Sequence, residues 1–255
     1  RPRSTPGRQL YLRWRRSPVG MIGTFMVLIV IATALLTPFI APHDPAQHHR
    51  QERFLPPSWM EAGKATYVLG TDQLGRDVLS RILFGSRGSV FVGVTAAMIG
   101  GTVGAVAGLL AGFYGGLTDV TISRFVDTYL SIPFIVLVLA LVGVLGPSLF
   151  TIVAVLGLTG WASYARVVRG ETLSVKQREF VTAARVIGAT QTRIAFRHVL
   201  PNAFASIIVL ATLDVAATIL AESSLSYLGL GVQPPTVTWG TMIADGREYL
   251  SSAWW

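Results

Sequence analysis

From Val19 to Ile40 the chain runs without a single charged side chain. At about 1.5 Å rise per residue, a helix of that length crosses a hydrocarbon layer of about 30 Å. Water is absent there, so every backbone N–H and C=O must be satisfied within the segment, as a helix does. Comparable apolar runs recur at about 90–113, 123–145, 148–168 and 202–221. The composition agrees: 51% of the 255 residues are hydrophobic and 13% charged, against roughly 25% charged in a soluble domain. The fold class expected is all-α, a polytopic helical membrane protein with five spans.

The charge of +8 is uneven. Six Arg fall in the first 16 residues, and seven Lys or Arg fall in 166–202. Nucleic-acid binding is the other standard reading of such basicity. Both clusters flank apolar spans, however, so the excess of positive charge on the cytoplasmic side explains them more simply. The lipid bilayer is therefore the partner expected, and no nucleic acid. The layout read is a cytoplasmic basic N-terminus over 1–18, a first span over 19–41, an extracytoplasmic segment over 42–87 and a core over 88–255. That core holds a cytoplasmic loop at 166–202 and an outer loop at 225–255. The six Lys or Arg of 42–87, set against five acids, run mildly against this orientation. The first residues resemble a signal-peptide n-region, but the apolar run that follows exceeds the usual 7–15 residues or so, so it reads as a retained span. The chain opens without Met, so residues are expected to precede Arg1.

Several segments carry local expectations. His43, His48 and His49 lack the company of Cys or carboxylates at ligand spacing, so they read as a solvated loop, and no metal site is expected. The chain has no cysteine, which excludes disulfides and thiolate sites. Over about 71–83 an amphipathic surface helix is expected, capped by Thr71 or Asp72, with Asp77 and Arg81 four apart and able to pair. Gly100, Gly104, Gly108 and Gly112 keep to one helix face, which favours tight packing within the subunit over pore lining. Pro133 is expected to kink the third span. Asp214 falls inside the fifth span, where an acid faces protein or water. It and Glu222, at the outer end, are candidates for a translocation path, with a helix-to-helix bond the more favoured reading of Asp214.

The polar interruption at 166–202 suggests two short helices. One runs over about 179–187, with Glu179 near its positive N-terminal end and Gly188 at the C-cap. The other starts at Thr190 or Thr192, before Pro201. No G-x-x-x-x-G-K-[ST], G-x-S-x-G or H-E-x-x-H occurs, so the chain itself is not expected to hydrolyse anything.

Glu179, Ala183, Ala184, Gly188, Ile194 and Leu200-Pro201 stand in the spacing E-x3-A-A-x3-G-x5-I-x5-L-P. This resembles the EAA loop of bacterial ABC importer permeases. The strings LGTDQLGRDVLSR and SSLSYLGLGVQPPTVTWG are similar to segments of the dipeptide, oligopeptide and nickel branch, and the C-type permease in particular. The resemblance implies a type I ABC importer transmembrane fold in a bacterial inner membrane, with five spans present of six. It implies that Glu179, Ala183, Ala184, Gly188, Arg193 and Ile194 belong to a coupling helix that docks on an ATPase. It further implies a second permease in a heterodimer, two cytosolic ATP-binding subunits or domains and an extracytoplasmic substrate-binding protein. The chain would bind no cofactor, with ATP and Mg2+ held by the partner ATPases. Short peptides are the substrate expected, and nickel or glutathione the alternatives. An ATPase-independent secondary transporter would need ionisable residues in several spans, and a membrane scaffold would bind partners without flux.

Overall fold

The computed structural model describes residues 14–255, so most of the expected basic N-terminus lies outside the described residues. The chain separates into two compact units, one up to residue 87 together with Trp255 and one over 88–254. Among the described residues four helices are long and apolar enough to cross a membrane, or there are five spans if one bent pair counts as a span.

In the first unit, helix α1 (Pro18–Ile40) begins where the Ser17 hydroxyl accepts the Gly20 N–H at 3.2 Å. Proline at the first helical position lacks an N–H that would be unpaired there anyway. The helix exposes nearly all of its apolar surface, and only Ala34 and Thr37 are buried. The Thr37 hydroxyl donates to Thr33 O at 2.6 Å and contacts Leu83 O at 3.0 Å.

The stretch before helix α2 (Val78–Tyr114) is organised by Asp72. Its carboxylate accepts the Leu74 and Arg76 N–H groups at 2.9 Å and Arg76 Nε at 2.6 Å, and it also pairs with Arg81. Burial works against this charge, but those N–H groups and guanidinium partners hold the carboxyl below its ordinary range. Gly70 and Gly75 adopt left-handed angles (φ of 79° and 75°), and a Cβ on Gly75 would collide with His49 O. Tyr67 is buried, donates to Glu52 at 2.5 Å and has its hydroxyl pushed up to about 12 by burial and that carboxylate. His43 stacks on Tyr67 at 5.1 Å and meets Asp77 at 3.3 Å.

Two expectations are corrected here. The cap of α2 is Asp77, which accepts Ser80 N at 3.1 Å and Ser80 Oγ at 2.6 Å, in place of Thr71 or Asp72. The expected surface helix is the opening of α2 and continuous with the second apolar run, because no residue between Ser80 and Gly93 breaks the helix.

In the second unit, α5 (Leu149–Val175) is the most enclosed span. Around it lie the rest of α2, α3 (Gly116–Leu130), α4 (Phe134–Leu145) and α8 (Leu200–Tyr227). The glycine face of α2 rests on the backbone of α5. A Cβ on Gly100 would lie 2.8 Å from Gly157 O and one on Gly112 2.8 Å from Arg169 O, while Gly104 and Gly108 approach Trp161 O and Ala165 O more closely still. Four-residue steps on both helices thus bring backbone against backbone. The kink expected at Pro133 is instead a break of 85° between α3 and α4. Proline removes a helical donor and disfavours helical angles in the residue before it.

Candidate functional site

The segment between α5 and α8 folds into α6 (Glu179–Val186), α7 (Gln191–Ile194) and a wide helical turn (Ala195–Val199) that leads into α8. Glu179 stands in the first turn of α6 and Arg185 in the last, each at the end that its charge suits. The helix closes with Gly188 N donating to Arg185 O and Ala189 N to Ala184 O, both at 3.0 Å, with Gly188 at φ 82°. This pair of bonds is a Schellman cap, which only glycine enters without a steric cost. Thr190 caps α7 by accepting Arg193 N at 3.4 Å.

The two faces of α6 differ. Val181, Ala184, Ile194 and Val199 join Leu109, Phe113, Val168 and Val175 in one core cluster. Glu179, Ala183, Gly188 and Arg193 point outward. So do Val186 and Ile187, which are 81% and 84% exposed, apolar side chains at the tip of a polar segment. Of the two adjacent alanines, Ala184 is therefore packed into this chain and Ala183 faces out. The sequence reading gave both one role and overlooked the Val186–Ile187 tip, although two β-branched residues before a glycine cap were a visible signal.

A set of bonds near this segment also escaped sequence reasoning. Arg169 on α5 grips Asp119 on α3 with two bonds of 2.5 and 2.7 Å. Arg166 meets Asp127 at 2.8 Å, and Lys176 donates to Gly112 O at 2.6 Å near the end of α2. The last turns of α5, directly before α6, are thereby tied to α2 and α3. The Arg169 and Asp119 positions lie 50 residues apart, so no local pattern joins them.

Asp214 on α8 accepts the Tyr164 hydroxyl of α5 at 3.0 Å, with Gly160 alongside. Glu222 lies fully buried near the end of α8. Its Oε1 accepts Ser226 Oγ at 2.7 Å and Thr238 Oγ1 at 2.8 Å, while Oε2 has no hydrogen-bond partner among the described residues. The two acids are thus not brought together with each other or with α6. Among the described residues no cluster of three or more metal-ligating side chains occurs.

Comparison with known proteins gives these arrangements a context. Residues 104–253 match the family model described as the binding-protein-dependent transport system inner membrane component, and residues 5–57 match the N-terminal TM domain of oligopeptide transport permease C. The chain is 39% identical over 251 residues to the di/tripeptide transport system permease protein DppC of Pseudomonas aeruginosa, covering 98% of this chain and 83% of the relative. It is 36% identical over 244 residues to the glutathione transport system permease protein GsiD of Pectobacterium atrosepticum, covering 96% and 79%. A chain of the inward-facing MetNI methionine ABC transporter shares the fold, with a TM-score of 0.53 and 21% identity over 67% of this chain and 80% of that one. With the apolar spans of its second unit packed around α5 and a capped helix between the last two of them, the chain belongs to the family of binding-protein-dependent transport system inner membrane components, the permease subunits of ABC importers.

Proposed function

We propose that this chain is the C-type permease of an importer for dipeptides or oligopeptides, and that α6 is its coupling helix. The observation that carries the reading is the two-sidedness of α6. One face is fastened into the ends of α2 and α5, while Val186 and Ile187 protrude from a polar segment joining two spans. An exposed apolar tip held on a rigid mount suits insertion into a groove of another protein. Exposed Arg178, Arg185, Arg193 and Arg197 surround it and suit an acidic rim. The partner is a cytosolic ATPase, which supplies ATP and Mg2+ chemistry that this chain does not perform. The basic N-terminus and 166–202 face the cytoplasm.

In this reading, closure of two ATPase subunits on ATP displaces α6. The displacement passes to α5, and through α7 and the helical turn to α8, and through Arg169–Asp119 and Lys176 to α3 and α2. Paired with a second permease, the chain then exposes the path alternately to an external binding protein and to the cytoplasm. Asp214 stands beside that path, tethered by Tyr164. The names of the similar proteins favour peptides, and the glutathione permease among them keeps that tripeptide as the second reading.

Purification of the tagged full-length protein from its own cells in mild detergent, with mass spectrometry of what accompanies it, tests the proposal. An ATPase and a second permease are expected, and their recovery is expected to fall when Ile187 is replaced by Asp. Absence of any ATPase, or recovery indifferent to that change, overturns the assignment of α6.

A further inference from the structure

The sequence reading offered Glu222 as a candidate for a translocation path, and the structure sets its carboxylate at a joint. Residues 231–239 fold back against Gly88 and Ser89 of α2 and the end of α8, and lead into helix α9 (Trp239–Gly246). Thr238 is the N-cap of α9: its hydroxyl accepts Thr241 N at 3.1 Å, and Thr241 Oγ1 accepts Thr238 N at 3.0 Å. The same Thr238 hydroxyl donates to Glu222. Start of helix and carboxyl group are therefore one unit, with the carboxyl under the positive end of α9. Gly240 is needed at this contact, since a Cβ there would stand 2.8 Å from Glu222 Oε2. Trp239 N donates to Ser89 Oγ of α2 at 3.0 Å, and Gly88 lets Val237 O approach. At the far end Arg247 donates to Tyr227 O at 2.6 Å and lies over the Tyr227 ring.

We infer that Glu222 is a positioning residue for transport: through Thr238 it latches the start of α9 over Ser89 of α2 and the outer end of α8, making α9 a cover hinged at Arg247–Tyr227. This rests on the proposed importer reading, in which 225–255 faces outward. A buried carboxylate that accepts two neutral hydroxyls and leaves one oxygen bare is only partly compensated. Water reaching the joint would satisfy that oxygen, so opening recovers part of what closure costs. The helix cap and the latch share one hydroxyl, which couples their opening.

The chain contains no cysteine, so spin labels can be placed at Phe91 of α2 and Ile243 of α9, both exposed. The label distance is read in the complete complex in lipid, beside ATP hydrolysis and peptide uptake. Thr238→Ser keeps both roles of the hydroxyl and is expected to retain the parent's short distance. Thr238→Val and Glu222→Ala are expected to move the open fraction up roughly tenfold and to lower uptake per ATP hydrolysed, with ATPase subunits still bound. Glu222→Gln keeps the accepting oxygen and is expected to restore the short distance. Parental distances and uptake per ATP in both Thr238→Val and Glu222→Ala overturn the inference. If Glu222→Ala does not assemble, the contrast between Thr238→Val and Thr238→Ser decides it. Absence of ATP-driven uptake in the parent complex overturns the importer reading, while the distances still report on the latch.

Discussion

Replacing Gly104 by alanine is expected to separate α2 from α5. The added Cβ would stand 2.5 Å from Tyr164 Cβ and 2.9 Å from Ala165 N, and closer to Trp161 O. Carbon atoms rest about 3.5–4.0 Å apart, so the helices must part by roughly 1 Å. A gap of that size forfeits a quarter to a half of each contact along the seam, including those at Gly100, Gly108 and Gly112. Overpacking of this kind costs about 1–3 kcal/mol. Alanine also raises helix propensity by roughly 1 kcal/mol over glycine, and Gly143→Ala serves as the control for that gain. Gly143 lies in α4 with nothing within 4 Å of its added Cβ. The difference between the two variants isolates the clash. At about 2–4 °C per kcal/mol for a chain of this size, Gly104→Ala should unfold about 2–12 °C below Gly143→Ala in a detergent thermal melt. Tyr164 carries the bond to Asp214, so uptake should fall with it. A Gly104→Ala protein as stable as Gly143→Ala refutes the seam as described.

Reversing both charges of the two-bond pair (Asp119→Arg with Arg169→Asp) should recover at least part of the uptake lost by either single change, measured in proteoliposomes, because the tie between α3 and α5 is restored. Removing the charge at Asp72 tests the outer turn. Its carboxyl is depressed in the folded state, so its stabilisation is present above the unfolded value of about 4 and fades as pH falls below it. The melting difference between parent and Asp72→Asn is therefore expected to be large at pH 7 and to shrink at pH 3. Ile187→Asp should leave the melting temperature of the isolated chain unchanged, since that side chain is exposed, while ATPase co-purification falls.

The spans were legible because uncharged runs of this length have few other fates, and α6 because an acid, two alanines and a glycine mark the start, body and cap of one short helix. The harder features depended on contacts outside the local window. Asp77 rather than Asp72 caps α2 because Asp72 is occupied by the turn it organises. Pro133 announced a disruption, but its 85° size depends on how α4 packs on α5. Adjacent helical residues point about 100° apart, so Ala183 and Ala184 face opposite environments, and only the core beneath α6 decides which is buried. Asp119 and Arg169, and Glu222 and Thr238, are partners across turns that periodicity does not register.

The most direct measurement is ATP hydrolysis and peptide uptake, recorded together in proteoliposomes, for the complete complex carrying Gly188→Val. The cap at φ 82° excludes a β-branched residue without strain, so α6 loses its end geometry while the spans remain. The account predicts continued hydrolysis with uptake lost. Hydrolysis and uptake both at parental rates would contradict α6 as the coupling element.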